Sequence, residues 1–477
     1  MVFNSFEYLV FLPVVFLAYW LVFKSIKGRN LFIIAASYVF YGWWDWRFLA
    51  LIILSTLCGY VCSLSIGANR ERGHKSAAKI ILWLNILLNL GVLFTFKYFD
   101  FFSHSFSRIA ELVGWYPDSV TLDLVLPVGI SFYTFQVLSY TIDVYRGYMK
   151  ATHDAAAFFA YICFFPQLVA GPIERATNLI PQFQRQRFFT YAEGVDGLKM
   201  ILWGLFKKMV VADNCAAGVN NIFADYQSVG ALNLWAGMIL FTFQIYGDFS
   251  GYSYIAVGSA KLFGIRLMQN FRTPYFSRSM GEFWRRWHIS LSQWLRDYVY
   301  IPLGGSRKSS LRTSTNLLIV FLASGLWHGA NFTFIAWGAY QSVFVIPESA
   351  IRRIRGKRSK YEVETSRDLW AIVFTFIIIA FGWVIFRAPD LSTAVNYIRL
   401  MFTDFHFDGL QFGMFSFVWI ALLLIDDWLM RARRHGLDFP DHGLWRQRWF
   451  RWTFYIVLTM IVLIFSGTSQ QFVYFQF

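Results

Sequence analysis

Long apolar runs separated by short charged loops set the pattern of this chain, and the runs do not alternate as β-strands would. The clearest runs approach or reach the roughly 17–25 residues that span a bilayer. They cover residues 11–23, 48–66, 80–96, 369–386 and 454–465. We therefore predict an all-α polytopic membrane protein.

Composition excludes an ordinary soluble protein. Hydrophobic residues make up 57% of the chain and charged residues 15%, whereas soluble domains carry roughly 25% charged residues. The basic residues behind the net charge of +15 lie in short loops between apolar runs, which predicts a lipid bilayer as partner and no nucleic acid. The four cysteines lie inside apolar runs without paired spacing, so we expect neither a disulfide nor a metal site.

Loop charge predicts the topology, because loops rich in lysine and arginine stay in the cytoplasm. Acidic loops are expected outside, and both the N-terminus and the C-terminus are then predicted outside. We expect one membrane domain with four segments. These are N-terminal helices over residues 1–150, a catalytic core with re-entrant segments over 151–347, C-terminal helices over 348–470 and an extracytoplasmic tail over 471–477.

The strongest candidate for chemistry is His328, in the sequence Trp-His-Gly-Ala-Asn between two apolar stretches, residues 316–326 and 332–345. Both flanks are basic, which predicts a re-entrant turn whose arms, about 11–14 residues long, reach about halfway to two-thirds across a 30 Å core. An imidazole there suits a general base or nucleophile. The alternative is a packing residue that bonds a carbonyl. Trp327 and Asn331 flank the histidine and are expected to line its site.

A second histidine, His288, lies in an amphipathic segment, residues 282–298. The segment predicts a helix in the cytoplasmic interface with aromatic anchors. Its cations predict a mouth for an anionic donor, and both interpretations can hold. The residues expected to line this mouth are Arg285, Arg286, Arg296 and Asp297.

Two further polar positions fall inside apolar sequence, where ionisable groups usually mark function. Asp248 is expected either to line a cavity or to cap a broken helix. The pair Lys207-Lys208 is expected either to form an internal ion pair with Asp213 or to extend to the membrane interface.

These motifs resemble the membrane-bound O-acyltransferase family, and in particular its bacterial alginate O-acetyltransferase-like branch. The matching stretches are residues 126–135, 142–147, 165–166, 170–172, 248–253, 282–298 and 325–332. The resemblance implies a ring of about 11–12 tilted transmembrane helices, with re-entrant and interfacial helices, around a central tunnel. It places His328 inside the tunnel and gives His288 the family's second polar position.

The same resemblance implies a bacterial inner-membrane enzyme with no bound cofactor. Its acyl donor would be acetyl-CoA or an acyl-carrier-protein thioester in the cytoplasm, and an extracytoplasmic acyltransferase partner would complete the transfer. The C-terminal sequence Phe-Val-Tyr-Phe-Gln-Phe is similar to a tyrosine motif of envelope-acylating members, which implies Tyr474 as an acyl carrier. The alternative for Tyr474 is an interfacial aromatic anchor.

The predicted function is therefore transfer of an acetyl group across the membrane to an alginate-like envelope polysaccharide. A close alternative is D-alanyl transfer from a carrier protein to teichoic acid. A secondary transporter is the alternative of another class, because broken helices and polar groups at membrane depth also mark transporters. The sequence shows no internal repeat that would favour it.

Overall fold

The computed structural model describes residues 1–169, 171–355, 366–429, 431, 433, 435–440, 442–468 and 470–473, without the side chains of residues 352–355 and 414. Within this part the chain is helical and forms no β-strand, which confirms the all-α prediction. The helices are α1 (Phe6–Leu21), α2 (Ile26–Gly42), α3 (Leu49–Glu71), α4 (Lys75–Lys97), α5 (Phe99–Leu112), α6 (Ile130–Arg146), α7 (Ala155–Cys163), α8 (Phe165–Leu168), α9 (Ala176–Gln184), α10 (Tyr191–Leu205), α11 (Asp213–Ala224), α12 (Ala231–Leu262), α13 (Met280–Arg286), α14 (Ile289–Leu295), α15 (Ser310–His328), α16 (Phe332–Arg355), α17 (Ser366–Arg387), α18 (Leu391–Thr403), α19 (Met414–Leu429) and α20 (Arg448–Ile464).

The chain forms two compact units. Unit 1 comprises Met1–Gly197 and Ser259–Met268, and unit 2 comprises Leu198–Gly258 and Gln269–Phe477. All described residues predicted for the site belong to unit 2, and Tyr474 lies outside the described residues. The single membrane domain with its four predicted segments stays a prediction.

Unit 1 joins its helices with buried polar contacts. The Ser55 hydroxyl of α3 donates to Asn89 Oδ1 of α4 at 2.5 Å, and Asn85 Nδ2 donates to Thr141 Oγ1 of α6 at 3.1 Å. Lipid is as apolar as the side chains, so such hydrogen bonds and close packing hold membrane helices together. They fix the register of α3, α4 and α6 against one another.

Three helical segments in the described ranges are long and apolar enough to cross a membrane: Trp46–Glu71, Lys75–Lys97 and Ser366–Arg387. Shorter helices also expose apolar side chains in rows, as α1 does with Phe6, Leu9, Val10, Val14, Leu17 and Leu21. A soluble protein rarely leaves so large an apolar face uncovered, whereas lipid covers it at no cost. The predicted ring of about 11–12 spans around a tunnel stays a prediction.

The hairpin that carries His328 is longer than predicted. Helix α15 has 19 residues and α16 has 24, so at 1.5 Å per residue they extend about 28 Å and 36 Å. The short arms predicted from the apolar stretches are therefore wrong. The apolar stretches underestimate the length of α15, because polar residues such as Thr313 and Asn316 extend the helix on its buried side.

Close backbone contact between α15 and α16 explains a glycine in the second helix. A Cβ atom on Gly338 would lie 2.3 Å from the carbonyl oxygen of Phe321. Backbone atoms cannot turn away as the end of a side chain can. The hairpin therefore depends on the missing side chain at position 338.

Replacing Gly338 with alanine is expected to destabilise the protein by about 1–3 kcal/mol, because the added carbon forces the two helices apart. Thermal unfolding of the purified protein in detergent measures the change. Gly91→Ala in α4 is the matched control, because nothing lies within 4 Å of a Cβ atom there. Equal melting temperatures for the two variants would contradict the close contact.

Candidate functional site

His328 is the last residue of α15, at the turn of the hairpin. Gly329 follows in an extended conformation, and a Cβ atom there would lie 2.2 Å from the ring of Phe334. Asn331 then starts α16: its Oδ1 accepts from the Thr333 amide at 3.0 Å, and its Nδ2 donates to the Pro389 carbonyl at 2.8 Å. The Trp-His-Gly-Ala-Asn sequence thus builds a tight turn that fixes the histidine, with Asn331 as its cap.

His288 lies at a break between two short helices, α13 and α14, with φ 41° and ψ 54°. The single amphipathic helix predicted over residues 282–298 is therefore wrong. Asn270 explains the break, because its carbonyl accepts from the Ile289 amide at 3.0 Å and its side chain accepts from the Ser290 amide at 3.1 Å. These contacts satisfy the first amides of α14 from outside the helix.

A left-handed conformation is uncommon for a residue with a side chain, and it costs free energy that neighbouring structure must offset. Here it turns the imidazole inward, where His288 is 0% exposed. Such backbone outliers cluster at functional sites. The break therefore serves to place this one side chain.

The two imidazoles meet in unit 2. Their ring centroids are 6.5 Å apart, and the Trp327 ring lies 5.5 Å from His288 and 5.0 Å from His328. Trp337 and Phe386 each lie 5.3 Å from His328. The pair is thus held in an aromatic setting, and His328 is only 4% exposed.

The imidazole of His288 is a buried polar group of an unusual kind. Among the described residues, neither of its ring nitrogens has a hydrogen-bond partner in another residue. Its near neighbour is an apolar ring, Phe249, at 4.7 Å. Buried polar atoms are nearly always satisfied, so one left open is typical of a site that receives a ligand or a proton.

The residues predicted to form the donor mouth differ in burial and in ion pairing. Arg286 is buried and bound to Glu282 at 2.6 Å, so its charge holds α13 together. Arg285 and Arg296 are exposed, and Arg296 pairs with the adjacent Asp297 at 2.7 Å. Arg285 and Arg296 are therefore accessible to an anionic ligand, whereas the charge of Arg286 is balanced by Glu282.

Asp248 lies inside the unbroken helix α12, so its predicted role as the cap of a broken helix is wrong. Its carboxylate pairs with Lys208 at 2.8 Å, and Lys208 also pairs with Asp213 at 2.9 Å. The predicted internal ion pair of Lys208 with Asp213 is thereby confirmed. We call Lys208, Asp213 and Asp248 the lysine–aspartate cluster.

The lysine–aspartate cluster holds the C-terminal segment, which sequence reasoning did not anticipate. The Val473 amide donates to Asp248 Oδ2 at 2.6 Å, and Lys208 Nζ donates to the Gln470 carbonyl at 3.0 Å. The charged side chains of the cluster can be recognised in the sequence, because they lie within apolar runs. The backbone groups of residues 470 and 473 cannot, because only the path of the chain brings them to the cluster.

The C-terminal segment also packs beside the histidines. The Phe472 ring lies 4.6 Å from Tyr252 and 5.9 Å from Phe249, and Phe249 in turn contacts His288. Residues 472 and 473 are buried, so this part of the predicted tail is built into unit 2. Tyr474 lies outside the described residues.

Comparison with known proteins identifies the family of this chain. The sequence profile of the membrane-bound O-acyltransferase family matches residues 33–387. The chain is 43% identical to the probable alginate O-acetylase AlgI of Pseudomonas aeruginosa over 404 residues, which cover 84% of this chain and 75% of AlgI. It is 35% identical to the peptidoglycan O-acetyltransferase of Helicobacter pylori over 421 residues, covering 82% and 77%.

A more distant relative is the teichoic acid D-alanyltransferase of Bacillus subtilis, 27% identical over 279 residues, which cover 55% of this chain and 69% of that enzyme. The chain belongs to the membrane-bound O-acyltransferase family, as the sequence resemblance predicted. It is a membrane protein and an acyltransferase. Both histidines lie within the matched range.

Replacing Asp248 with asparagine is expected to loosen the C-terminal segment, because an uncharged amide holds the Lys208 ammonium and the Val473 amide less strongly. Losing one charge-assisted bond costs about 1.5–3 kcal/mol, which is about tenfold or more in local opening. Hydrogen exchange of the amides of residues 470–473 measures this. The control is Asp225→Asn, an exposed carboxylate, and unchanged exchange in Asp248→Asn would refute the anchoring role.

Proposed function

We propose that this protein moves an acetyl group from a cytoplasmic thioester to a hydroxyl of an envelope polysaccharide outside the membrane. The observation that carries the proposal is the buried pair of imidazoles, 6.5 Å apart, in a member of an acyltransferase family. Relatives named for O-acetylation of alginate and peptidoglycan support acetyl as the group and a polysaccharide as the acceptor.

In the proposed reaction His328 takes the proton from the hydroxyl that first accepts the acetyl group, which is the phenol of the carrier tyrosine proposed below. The hydroxyl oxygen attacks the thioester carbonyl, a C–O bond forms and the C–S bond breaks. The thiolate leaves and receives the proton from the His328 imidazolium, so the ring returns to its neutral form. The cycle starts from a neutral imidazole, as a general base requires.

His288 is proposed to orient the thioester carbonyl or to relay the proton. Its two open ring nitrogens give it a donor and an acceptor for that purpose. The 6.5 Å between ring centroids brings both imidazoles within reach of one reacting group. An acetyl group is small enough for a narrow passage through the membrane, whereas a sugar polymer is not.

This difference in size supports a bacterial inner-membrane enzyme that moves the acyl group through the membrane and leaves the polymer where it is. A ring of helices around a narrow tunnel passes only the acyl group, and the polymer stays outside. The basic loops, which are predicted to lie in the cytoplasm, support a donor on that side. An extracytoplasmic partner protein is then needed to bring the polysaccharide.

Tyr474 is proposed as the outgoing carrier. A phenol has a pKa near 10, below that of a sugar hydroxyl, so its acetyl ester passes the group on readily. The lysine–aspartate cluster supports this role, because it anchors the backbone up to Val473, the residue before Tyr474. A hydroxyl that the partner brings then attacks the carbonyl of the tyrosyl ester, the bond to the tyrosine oxygen breaks, and the released phenolate takes up the proton of that hydroxyl.

D-alanyl transfer is the second candidate, because the teichoic acid D-alanyltransferase is also a relative. That relative matches only 55% of this chain, whereas the O-acetylating relatives match 82–84%. Membership in an acyltransferase family argues against the transporter alternative. Mass analysis of the acid released from the envelope by mild base separates acetate from alanine.

Replacing His328 with alanine is expected to lower the envelope-bound acetyl ester about 100-fold or more, since a general base contributes about 10²–10⁴ in rate. Base-released acetate is measured in cells that carry the variant in place of the wild-type gene. His104→Ala is the control, because His104 is exposed on α5. Normal ester in a well-expressed His328→Ala variant would end the proposal.

His288 has to be tested with two variants, because its left-handed backbone conformation and its imidazole ring contribute separately. Asparagine tolerates a positive φ and alanine does not, so His288→Asn is expected to keep the melting temperature better than His288→Ala. Both are expected to lose the ester. An active His288→Asn with an unstable His288→Ala would show that position 288 serves the backbone alone.

Replacing Tyr474 with phenylalanine is expected to abolish envelope ester, because only the acyl-accepting oxygen is lost. Mass spectrometry of the C-terminal peptide of the wild-type protein should show an acetyl group on Tyr474. Tyr116→Phe, at an exposed tyrosine, is the control. Full ester in Tyr474→Phe would leave direct transfer from the thioester as the route.

A further inference from the structure

Two buried arginines of unit 1 take no part in the chemistry proposed so far. Arg29 of α2 is 6% exposed, and Arg187, in the segment between α9 and α10, is 5% exposed. The two residues are in direct contact, because Arg29 Nη1 donates to the Arg187 carbonyl at 2.7 Å. We call Arg29 and Arg187 the buried arginine pair.

The buried arginine pair has no internal counter-ion. Within the described ranges, neither guanidinium forms an ion pair with a carboxylate. Arg29 Nε donates to the Phe23 carbonyl at 2.9 Å and Arg187 Nη2 to Asn30 Oδ1 at 2.7 Å, and both acceptors are neutral. Arg187 Nε and Nη1 are buried without a hydrogen-bond partner among these residues. Arginine does not lose its proton in proteins, so both charges persist.

Neighbouring aromatic rings offset only part of this charge. The Arg29 guanidinium lies 4.5 Å from the centre of the Trp20 ring and 5.1 Å from that of Tyr19, and the Arg187 guanidinium lies 5.7 Å from that of Tyr19. Tyr19 is neutral and donates its hydroxyl proton to the Phe263 carbonyl at 3.2 Å. Attraction to a ring is weaker than the cost of taking a charge out of water. An anion from outside the chain would supply the missing counter-charge.

An open groove beside the buried arginine pair can receive such an anion. Its volume is about 630 Å³, within the range of small-ligand sites, and Arg185, Arg266 and Gly264 line it. A Cβ atom on Gly264 would lie 3.4 Å from Arg187 Cβ. The groove and the pair therefore meet at this glycine.

The charge balance at the groove is positive. Two carboxylates lie nearby: Glu193 pairs with Arg266 at 2.6 Å, and the buried Glu174 accepts from Asn178 Nδ2 at 2.8 Å. Arg185 is exposed and forms no ion pair in the part of the chain that the structure describes. The two groove arginines and the buried arginine pair thus outnumber the carboxylates by two.

The groove lies where the apolar surface of α1 ends. The exposed apolar row of α1 runs as far as Leu21, and the ring of Trp20 beside it contacts Arg29. The Phe189 ring lies 5.9 Å from Trp20, and the adjacent Phe188 is 72% exposed. Exposed aromatic rings at the end of an apolar surface are typical of the level of the lipid headgroups.

We propose that this groove binds the phosphate of an anionic phospholipid. Arg185 donates to the phosphate oxygens, and the buried arginine pair supplies a fixed positive charge behind them. The acyl chains lie along the exposed row of α1, which a soluble anion would leave uncovered. Clusters of basic residues at a membrane surface attract acidic lipids in this way. The proposal is independent of the proposed acyl transfer, because it rests on residues of unit 1 alone.

The first test compares two lipids with the same acyl chains. Phosphatidylglycerol and the zwitterionic phosphatidylcholine are titrated onto the delipidated full-length protein in neutral detergent, and bound lipid is counted by native mass spectrometry. Phosphatidylglycerol is expected to bind at least about fivefold more tightly, as one basic residue near an acidic lipid provides. Equal binding of the two lipids would overturn the proposal. Inorganic phosphate that binds as tightly as phosphatidylglycerol would show a site for a free anion and would also overturn it.

The second test removes the accessible cation. Arg185→Gln is expected to weaken phosphatidylglycerol about fivefold and to leave phosphatidylcholine unchanged. Arg72→Gln is the matched control, because Arg72 is an exposed arginine of unit 1 that does not line the groove. Unchanged affinity in Arg185→Gln would overturn the site. An equal loss in Arg72→Gln would do the same, because it would show a general attraction to the basic surface.

The third test removes a buried charge while keeping the length of the side chain. Thermal unfolding of wild type and Arg187→Met is measured with and without phosphatidylglycerol. The lipid is expected to raise the melting temperature of the wild type more than that of Arg187→Met, because the variant has one positive charge fewer to balance. Each protein is compared with itself, so a general loss of stability does not affect the result. An equal rise in both would refute the role of the pair, and Arg185→Gln decides the site if Arg187→Met does not fold.

Discussion

Buried polar groups have to find partners inside this protein, because neither lipid nor packed side chains can solvate them. In unit 2 that requirement is met by joining parts of the chain far apart in sequence. Lys208 binds two aspartates and a C-terminal carbonyl, and Asp248 binds Lys208 and a C-terminal amide. Without these partners each charge would be strongly destabilising in the interior. The C-terminal segment is thereby held as part of the core.

Among the described residues the imidazole of His288 is one of the exceptions to that rule. The residue is fully buried and left-handed, and neither ring nitrogen has a partner in another described residue; each of these features costs stability. The structure offsets this cost through Asn270, which satisfies the backbone on the far side of the break. His328 sits at the end of a helix whose partner approaches closely enough to require Gly338. Both imidazoles are therefore fixed by backbone geometry, which suits a reaction that depends on orientation.

The fold class and the main site residue followed from local patterns. Apolar runs predicted the helices, and the predicted run at residues 80–96 lies within α4. The turn at His328 was marked by small and polar residues between apolar stretches. The predicted arms of the hairpin were too short, because hydropathy detects only apolar residues. Helix α15 also includes polar residues on its buried side. The same limit led to the prediction of one helix across residues 282–298, since amphipathic spacing does not reveal a break held by a distant asparagine.

The sequence by itself determined that the chain is helical, that it resides in a membrane and that His328 and His288 are the candidate reactive groups. It did so because hydropathy, loop charge and motif spacing are local properties of the chain. Only the tertiary structure decided that the two imidazoles lie 6.5 Å apart and that Asp248 holds residue 473. It also brought Arg29 and Arg187 together in unit 1. These contacts join residues 40 to more than 200 positions apart, and the packing of helices, which no local pattern encodes, sets which of them meet.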